Sequence, residues 1–361
     1  MRKMLSLFLA AALGVSMLTG CSAKPAETTA AQTTVATEAA TTAAPETTAP
    51  TTEAETAAEP ADNVTIRVGG LKGPTTMGLV KLMDEDANGT SINDYEFTMV
   101  TAADELTALV ATEKVDIALL PANVASVLYN KTGGNVSVID INTLGVLYLV
   151  SGDTSITSID QLKGKTVYLP GKGTTPDYGL RYVLAEAGLT EDDVTLEFKS
   201  EAAEVASVLA EDPNAIGLLP QPFVTAAMAQ NDKLAMVMDL AEIWDSFQPE
   251  EGGSRLVTGV TIVNKAFLDE HADLVDIFLE EHEASIAFTS SDVDAAAELI
   301  AAQGIVAKAP IAKKALPFCH VAFVAGEEMK EALGGYLSVL FEQNPASVGG
   351  TLPDDAFYYL P

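Results

Sequence analysis

From Asn63 onward, short runs of β-branched and apolar residues alternate with longer stretches in which apolar positions recur every three or four residues. Runs of the first kind suit strands, and stretches of the second suit amphipathic helices. Val64 to Gly69 reads as a strand, Leu71-Lys72-Gly73-Pro74-Thr75 as a loop, and the pattern through Met83 as a helix. Two further units follow: a strand from Tyr95 to Val100 with a helix over 103–111, and a strand from Val115 to Leu120 with Pro121-Ala122-Asn123 opening a helix through Tyr129. Ser137 to Val150 is one long β-branched apolar run ending at Ser151-Gly152-Asp153. Strands alternating with helices predict parallel β-α-β units.

A second block repeats this layout without repeating its residues. Ile159 to Lys165 leads into a strand over 166–169, a loop over 170–176 and a helix over 177–187. Next come a strand over 194–198, a helix over 201–209, a strand over 215–219, Pro220-Gln221-Pro222-Phe223 opening a helix through Gln230, and a strand over 234–238. Trp244 and Phe247 fall in a helical pattern, which favours core packing over ligand stacking. After Val260 to Val263 the sequence is mainly helical, with a long final helix over 327–343. A helical last third with too few strands for its own sheet is expected to pack back on the first block.

Upstream of this body, Arg2 and Lys3 precede an unbroken apolar run from Met4 to Met17, too short for a permanent membrane span. That is the pattern of an export signal, residues 1–20. It ends in Leu18-Thr19-Gly20-Cys21, which resembles the lipobox of bacterial lipoproteins and implies a lipidated, membrane-anchoring Cys21. Residues 22–62 reduce to Thr, Ala, Glu and Pro with almost nothing to bury, so residues 21–62 are expected to be a lipidated cysteine and a disordered tether. About 300 residues remain, enough for two domains of ordinary size.

Charge and chemistry narrow the function classes. With 20 Lys and Arg against 51 Asp and Glu the net charge is -31, which opposes binding to nucleic acid. Cys319 is the only cysteine besides Cys21, so no internal disulfide is expected in the mature chain. The three histidines, His271, His282 and His320, are not at metal-ligand spacing. Adjacent Cys319 and His320, read as strand residues, face opposite ways, so they do not form a catalytic pair, and Cys319 reads as a buried apolar thiol. No catalytic residue, metal site or cofactor is expected.

Taken in order, the lipobox and tether, the strand-loop-helix at Val68 to Thr75, the segment Val115-Asp116-Ile117-Ala118-Leu119-Leu120-Pro121-Ala122-Asn123, and Leu162-Lys163-Gly164-Lys165-Thr166-Val167 resemble a substrate-binding lipoprotein of an ABC importer. More narrowly they resemble the nitrate/sulfonate/taurine and thiamine-precursor group, over essentially all of 63–361. The resemblance implies an α/β, two-lobed, type II periplasmic-binding-protein-like fold. Lobe one is expected at 63–150 plus 258–361 and lobe two at 151–257, joined by a two-strand hinge. Gly152 and Gly259 are the candidate hinge glycines, or else ordinary turn residues.

In open α/β sheets ligands lie beyond the carboxyl ends of the strands. Four loops qualify. In the first, Gly73, Pro74, Thr75 and Thr76 are candidates for ligand contact, the threonines equally for helix capping. In the second, Ala122 and Asn123 suit a cleft wall, with Asn123 alternatively a cap. In the third, Gly171 to Asp177, Gly173, Thr174 and Thr175 suit a small anion nest or a plain surface turn; P-loop spacing is absent. In the fourth, Gln221 is placed to hydrogen-bond a ligand, and Phe223 either to stack on it or to join the core. Phe318 to His320 is a candidate further wall, with His320 as its contact. Lys72, Lys172, Arg181 and Arg255 near these loops suit an anion such as a sulfonate or carboxylate; a neutral vitamin precursor competes.

The function these features imply is capture of a small polar or anionic molecule (sulfonate, nitrate-like or vitamin precursor) between the lobes and its delivery to a permease by hinge closure. The implied partners are that small molecule, an ABC permease with its ATPase, and the membrane through Cys21, with no nucleic acid. The protein is then a monomer on the extracellular face of a bacterial cytoplasmic membrane. An enzyme of the same fold, for pyrimidine or menaquinone precursors, and a lipoprotein sensor or adhesin are the alternatives.

Overall fold

The computed structural model describes residues 64–249 and 253–361. The expected signal peptide, Cys21 and the tether lie outside the described residues.

The first stretch comprises β1 (Thr65–Leu71), a 3-10 turn (Pro74–Leu79), α1 (Val80–Ala87), β2 (Asp94–Val100), α2 (Ala103–Ala111), β3 (Ile117–Pro121), α3 (Ala122–Thr132) and β4 (Val136–Leu144). The second comprises β5 (Leu147–Ser151), β6 (Thr166–Pro170), α4 (Thr175–Glu186), β7 (Thr195–Lys199), α5 (Ala202–Glu211), β8 (Ile216–Pro220), α6 (Phe223–Gln230), β9 (Ala235–Asp239) and α7 (Leu240–Ser246). The third comprises β10 (Val257–Asn264), α8 (Lys265–Glu270), α9 (Ala272–Ser291), α10 (Val293–Ala302), α11 (Ala309–Ala315), β11 (Val321–Val324) and α12 (Gly326–Gln343).

The strands form two mixed sheets, ordered β11-β4-β10-β3-β1-β2 and β7-β6-β8-β5-β9. β1 lies parallel to β2 and β3, and β6 parallel to β7 and β8, as β-α-β units require, while β10 runs antiparallel to β3 and β4. Helices cover both faces of the first sheet, so β4 and β10 are buried nearly throughout and read as continuous apolar runs.

That double burial hides a boundary. The run 137–150, read as one long apolar run and placed wholly in lobe one, is two strands in different sheets, and the chain crosses at Gly145-Val146. A Cβ on Gly145 would collide with Ala241 of α7, so the glycine lets α7 close over the crossing. The return crossing lies between α7 and β10. Neither expected hinge glycine is in a crossing. Gly152 follows the far end of β5, its N–H donating to the Pro213 carbonyl at 2.6 Å where a Cβ would press on that carbonyl. Gly259 is within β10, paired with Pro121 and Thr143, and a Cβ there would strike Thr75 and Asn142. Both glycines sit where the backbone is closely approached by other residues.

Three further differences concern the last third. The mainly helical stretch after Val263 resolves into a short α8 and an α9 that runs unbroken to Ser291. Residues 309–315 are helical and 321–324 add a four-residue edge strand, both too short to leave a period. Cys319 and His320 are not strand residues either: Cys319 ends a 3-10 turn with its thiol donating to the Ala315 carbonyl at 3.3 Å, and His320 has a left-handed backbone, φ 46°.

One hydrophobic cluster runs between the sheets, joining Leu120, Val260 and Leu337 on one side to Leu169, Leu180 and Leu240 on the other. The last helix, α12, is central to it. Tyr336, Leu337 and Leu340 are fully buried, and each side chain of this kind contributes about 1.5–3 kcal/mol. Trp244 is equally buried, its Nε1 donating to Ser254 Oγ at 3.1 Å, so it is core as its helical setting predicts.

Candidate functional site

Because β1, β3, β6 and β8 are parallel within their sheets, their carboxyl ends deliver the four predicted loops to common edges. Two of these loops meet across one cavity of about 680 Å³. Lys72, Gly73 and Pro74 form one wall, Pro220 to Phe223 with the exposed side of α6 the other, and Ile305 to Lys308 with Ile311 the third. A Cβ on Gly73 would meet nothing within 4 Å, so this wall is bare. Phe223 is 43 % exposed beside it, so it is not core and its ring is free to stack. Ile305, Val306, Ile311, Phe223 and the prolines make the lining largely apolar, and Lys72 and Lys308 are its ionisable groups.

The other first-loop candidates divide. Thr76 is spent, its hydroxyl donating to the Leu71 carbonyl at 2.6 Å. Thr75 is buried against Gly259 with its Oγ1 unpartnered, as is the Oγ1 of Thr258. Neither threonine caps the helix; the cap position is Gly73. A buried hydroxyl without a partner costs about 1–3 kcal/mol, and Thr75 is not among the residues lining the cavity.

Ala122 and Asn123 do not line the cavity. Ala122 is core, and the Asn123 amide faces the Ser347 carbonyl at 3.5 Å, without capping α3. Gln221 lines the cavity with little more than its edge. It is 1 % exposed, and its Oε1 accepts from Thr225 Oγ1 at 2.9 Å and Thr225 N at 3.3 Å. Its amide thus pins the start of α6.

The third loop is no anion nest. Gly171 and Gly173 have φ 71° and 76°, which explains the glycines, but the Gly173 N–H donates to Asp177 Oδ2 at 2.8 Å. The Asp177 Oδ1 accepts from Arg181 Nε at 2.6 Å, Thr174 Oγ1 donates to the Gly171 carbonyl, and Thr175 Oγ1 accepts from Tyr336 Oη at 3.1 Å. The loop's own carboxylate occupies the place of the anion. Lys172 lies over the Phe198 ring, 5.4 Å from its centroid, and Arg181 also pairs with Glu191. Of the four expected cations, Lys72 alone reaches the cavity. Lys308 was not foreseen, because no strand precedes it to mark its loop.

His320 lies elsewhere, in a chamber of about 80 Å³ shared with Gly145, Glu242, Asp245 and Arg255. Its Nε2 is 3.1 Å from Tyr148 Oη and 3.6 Å from Asp239 Oδ2. Burial raises Asp245 above the usual carboxylate range against the opposing pull of Arg255. Burial, with Asp239 beside it, also raises the Tyr148 hydroxyl, which stays a donor. The Cys319 thiol is pushed up to about 12 by burial, so it is inert at neutral pH.

A second large cavity, about 660 Å³, lies between α4 and α12. Its cation and one of its phenols are already engaged, Arg181 by two acids and Tyr178 Oη by Asn344 Nδ2 at 3.0 Å, and Glu186 and Glu342 add negative charge to its lining. It also lies away from the strand ends. The cavity at Lys72 and Phe223, which has free groups, is the better candidate.

This arrangement, two mixed α/β sheets facing across a cleft, agrees with sequence similarity. Residues 98–296 match the NMT1/THI5-like family, a span that includes strands of both sheets. The chain belongs to that family. No curated protein sequence is significantly similar to it. Among solved structures, an ABC transporter from Parabacteroides distasonis is similar with TM-score 0.68 and 25% identity over 82% of this chain and 99% of that one. The periplasmic aliphatic sulphonate binding protein of Escherichia coli is similar with TM-score 0.63 and 15% identity over 81% of this chain and 93% of that one. A Candida albicans protein described as having the generic periplasmic binding protein fold is similar with TM-score 0.51 and 16% identity over 81% of this chain and 93% of that one. The fold of this family member is therefore the two-sheet periplasmic-binding-protein fold.

Proposed function

We propose that the protein is the solute receptor of an ABC importer, tethered by a lipid on Cys21 outside the cytoplasmic membrane. Its two lobes, each built on one sheet, close on a small molecule and present it to a permease with its ATPase, the receptor acting as a monomer. The observation that carries this reading is the cavity of about 680 Å³ walled by loops from both sheets, with two lysines and an exposed Phe223 on an apolar lining. That lining favours an organic anion with an apolar body, such as a sulfonate or carboxylate, over a small inorganic ion like nitrate. It also supplies no acid-base pair, since Lys72 and Lys308 are its ionisable members among the described residues, which supports binding rather than catalysis.

The test is thermal unfolding of the purified chain against a panel of sulfonates, carboxylates, nitrate and pyrimidines. A ligand at a hundred times its Kd adds about 2.7 kcal/mol, hence a rise in Tm of several degrees. Organic anions are expected to give that rise. No response from any of them, or turnover of one, defeats the proposal.

A further inference from the structure

We infer that Tyr148, Asp239 and His320 form a latch that holds the two sheets closed on one another; the inference rests on the receptor reading only for its purpose, not for its geometry. The latch straddles the crossing at Gly145-Val146. On the first-sheet side, the His320 carbonyl accepts from the N–H of Leu144, the last residue of β4, at 3.0 Å. On the second-sheet side, the His320 ring meets Tyr148 on β5, and Asp239 is the cross-strand partner of Tyr148 on β9. One residue thus grips the chain on both sides of the crossing, four positions apart.

The hydrogen bonds fix the donor directions. Tyr148 Oη donates to the Phe318 carbonyl at 2.9 Å, so the 3.1 Å contact with His320 is made by the Nε2–H donating to the phenol oxygen. Asp239 faces the same nitrogen and with its other oxygen caps α7, accepting from Ala241 N at 2.8 Å, which holds the carboxylate in place. Tyr148 is 3 % exposed, so rotating the sheets apart strips a buried hydroxyl of both partners. The ring reaches this position only because His320 adopts a left-handed backbone, φ 46°, which is costly for a residue with a Cβ and is a signature of functional constraint. By its placement the latch sets how often the ligand-free cleft opens, and so the rate at which a captured molecule escapes.

Hydrogen exchange of the full chain without ligand tests this. His320→Asn tolerates the left-handed backbone but is too short to reach Tyr148, and Tyr148→Phe removes only the hydroxyl. Both variants are expected to speed exchange at the facing walls, residues 72–78 and 223–230, at least tenfold, while the strand 94–100 exchanges as in the wild type. Unchanged exchange at the walls in either variant, or a uniform increase that includes 94–100, overturns the latch. Because no ligand enters the measurement, a failed receptor reading shows instead as a lack of ligand response in thermal unfolding.

Discussion

Lys72-Gly73-Pro74-Thr75-Thr76 and Lys172-Gly173-Thr174-Thr175-Pro176 are the same five residues in a different order, each following the first parallel strand of its sheet. They end in opposite states. The first leaves Lys72 exposed on a cavity and the Thr75 hydroxyl without a partner. The second spends its Gly173 N–H, both threonine hydroxyls and its lysine on the protein itself. The residue that follows makes the difference: Met77 is buried apolar packing, whereas Asp177 folds back as an internal anion. A loop rich in glycine and threonine is a binding loop only if its neighbours do not bind it first.

The strongest way to break this contrast is Asp177→Ala. It leaves Arg181 short of its buried partner and frees the Gly173 N–H, so urea unfolding is expected to show a loss of about 2 kcal/mol. Sulfate should then stabilise the variant but not the wild type. Equal stability of the two would mean that the carboxylate does not close the loop. Next in size, Lys72→Ala should weaken calorimetric binding of an organic anion about tenfold, or 1.4 kcal/mol, while Lys172→Ala stays within about twofold. The reverse order would move the site to the second loop. The smallest effect separates the threonines. Thr174→Val gives up the bond to the Gly171 carbonyl and should cost about 1 kcal/mol without touching affinity. Thr75→Val removes a buried hydroxyl that has no partner, so it should instead raise stability, by less than about 1 kcal/mol, and leave affinity within about twofold.

Much of the fold was legible because local periodicity and tertiary demand agree where a helix or strand has one buried face. The helix over 103–111 and the strand-loop-helix units of both sheets follow the sequence pattern closely. Where both faces are buried the period vanishes, and the run 137–150 concealed a change of sheet at Gly145. The site was half legible. Gly73, Pro74 and Phe223 line the cavity as strand-end logic predicts, but whether Thr76, Gln221 or Gly173 is free depends on partners the sequence does not place beside them. Lys308 and the left-handed His320 come from the irregular segments of the last third, where no period announces a loop and no residue type demands the backbone.

Native mass spectrometry of the full chain as purified tests the central claim most directly. The account predicts one small organic anion per chain in the wild type and its loss in Lys72→Glu, which sets a negative charge on the cavity wall. A ligand retained unchanged by Lys72→Glu, or an added metabolite recovered as a product, would contradict it.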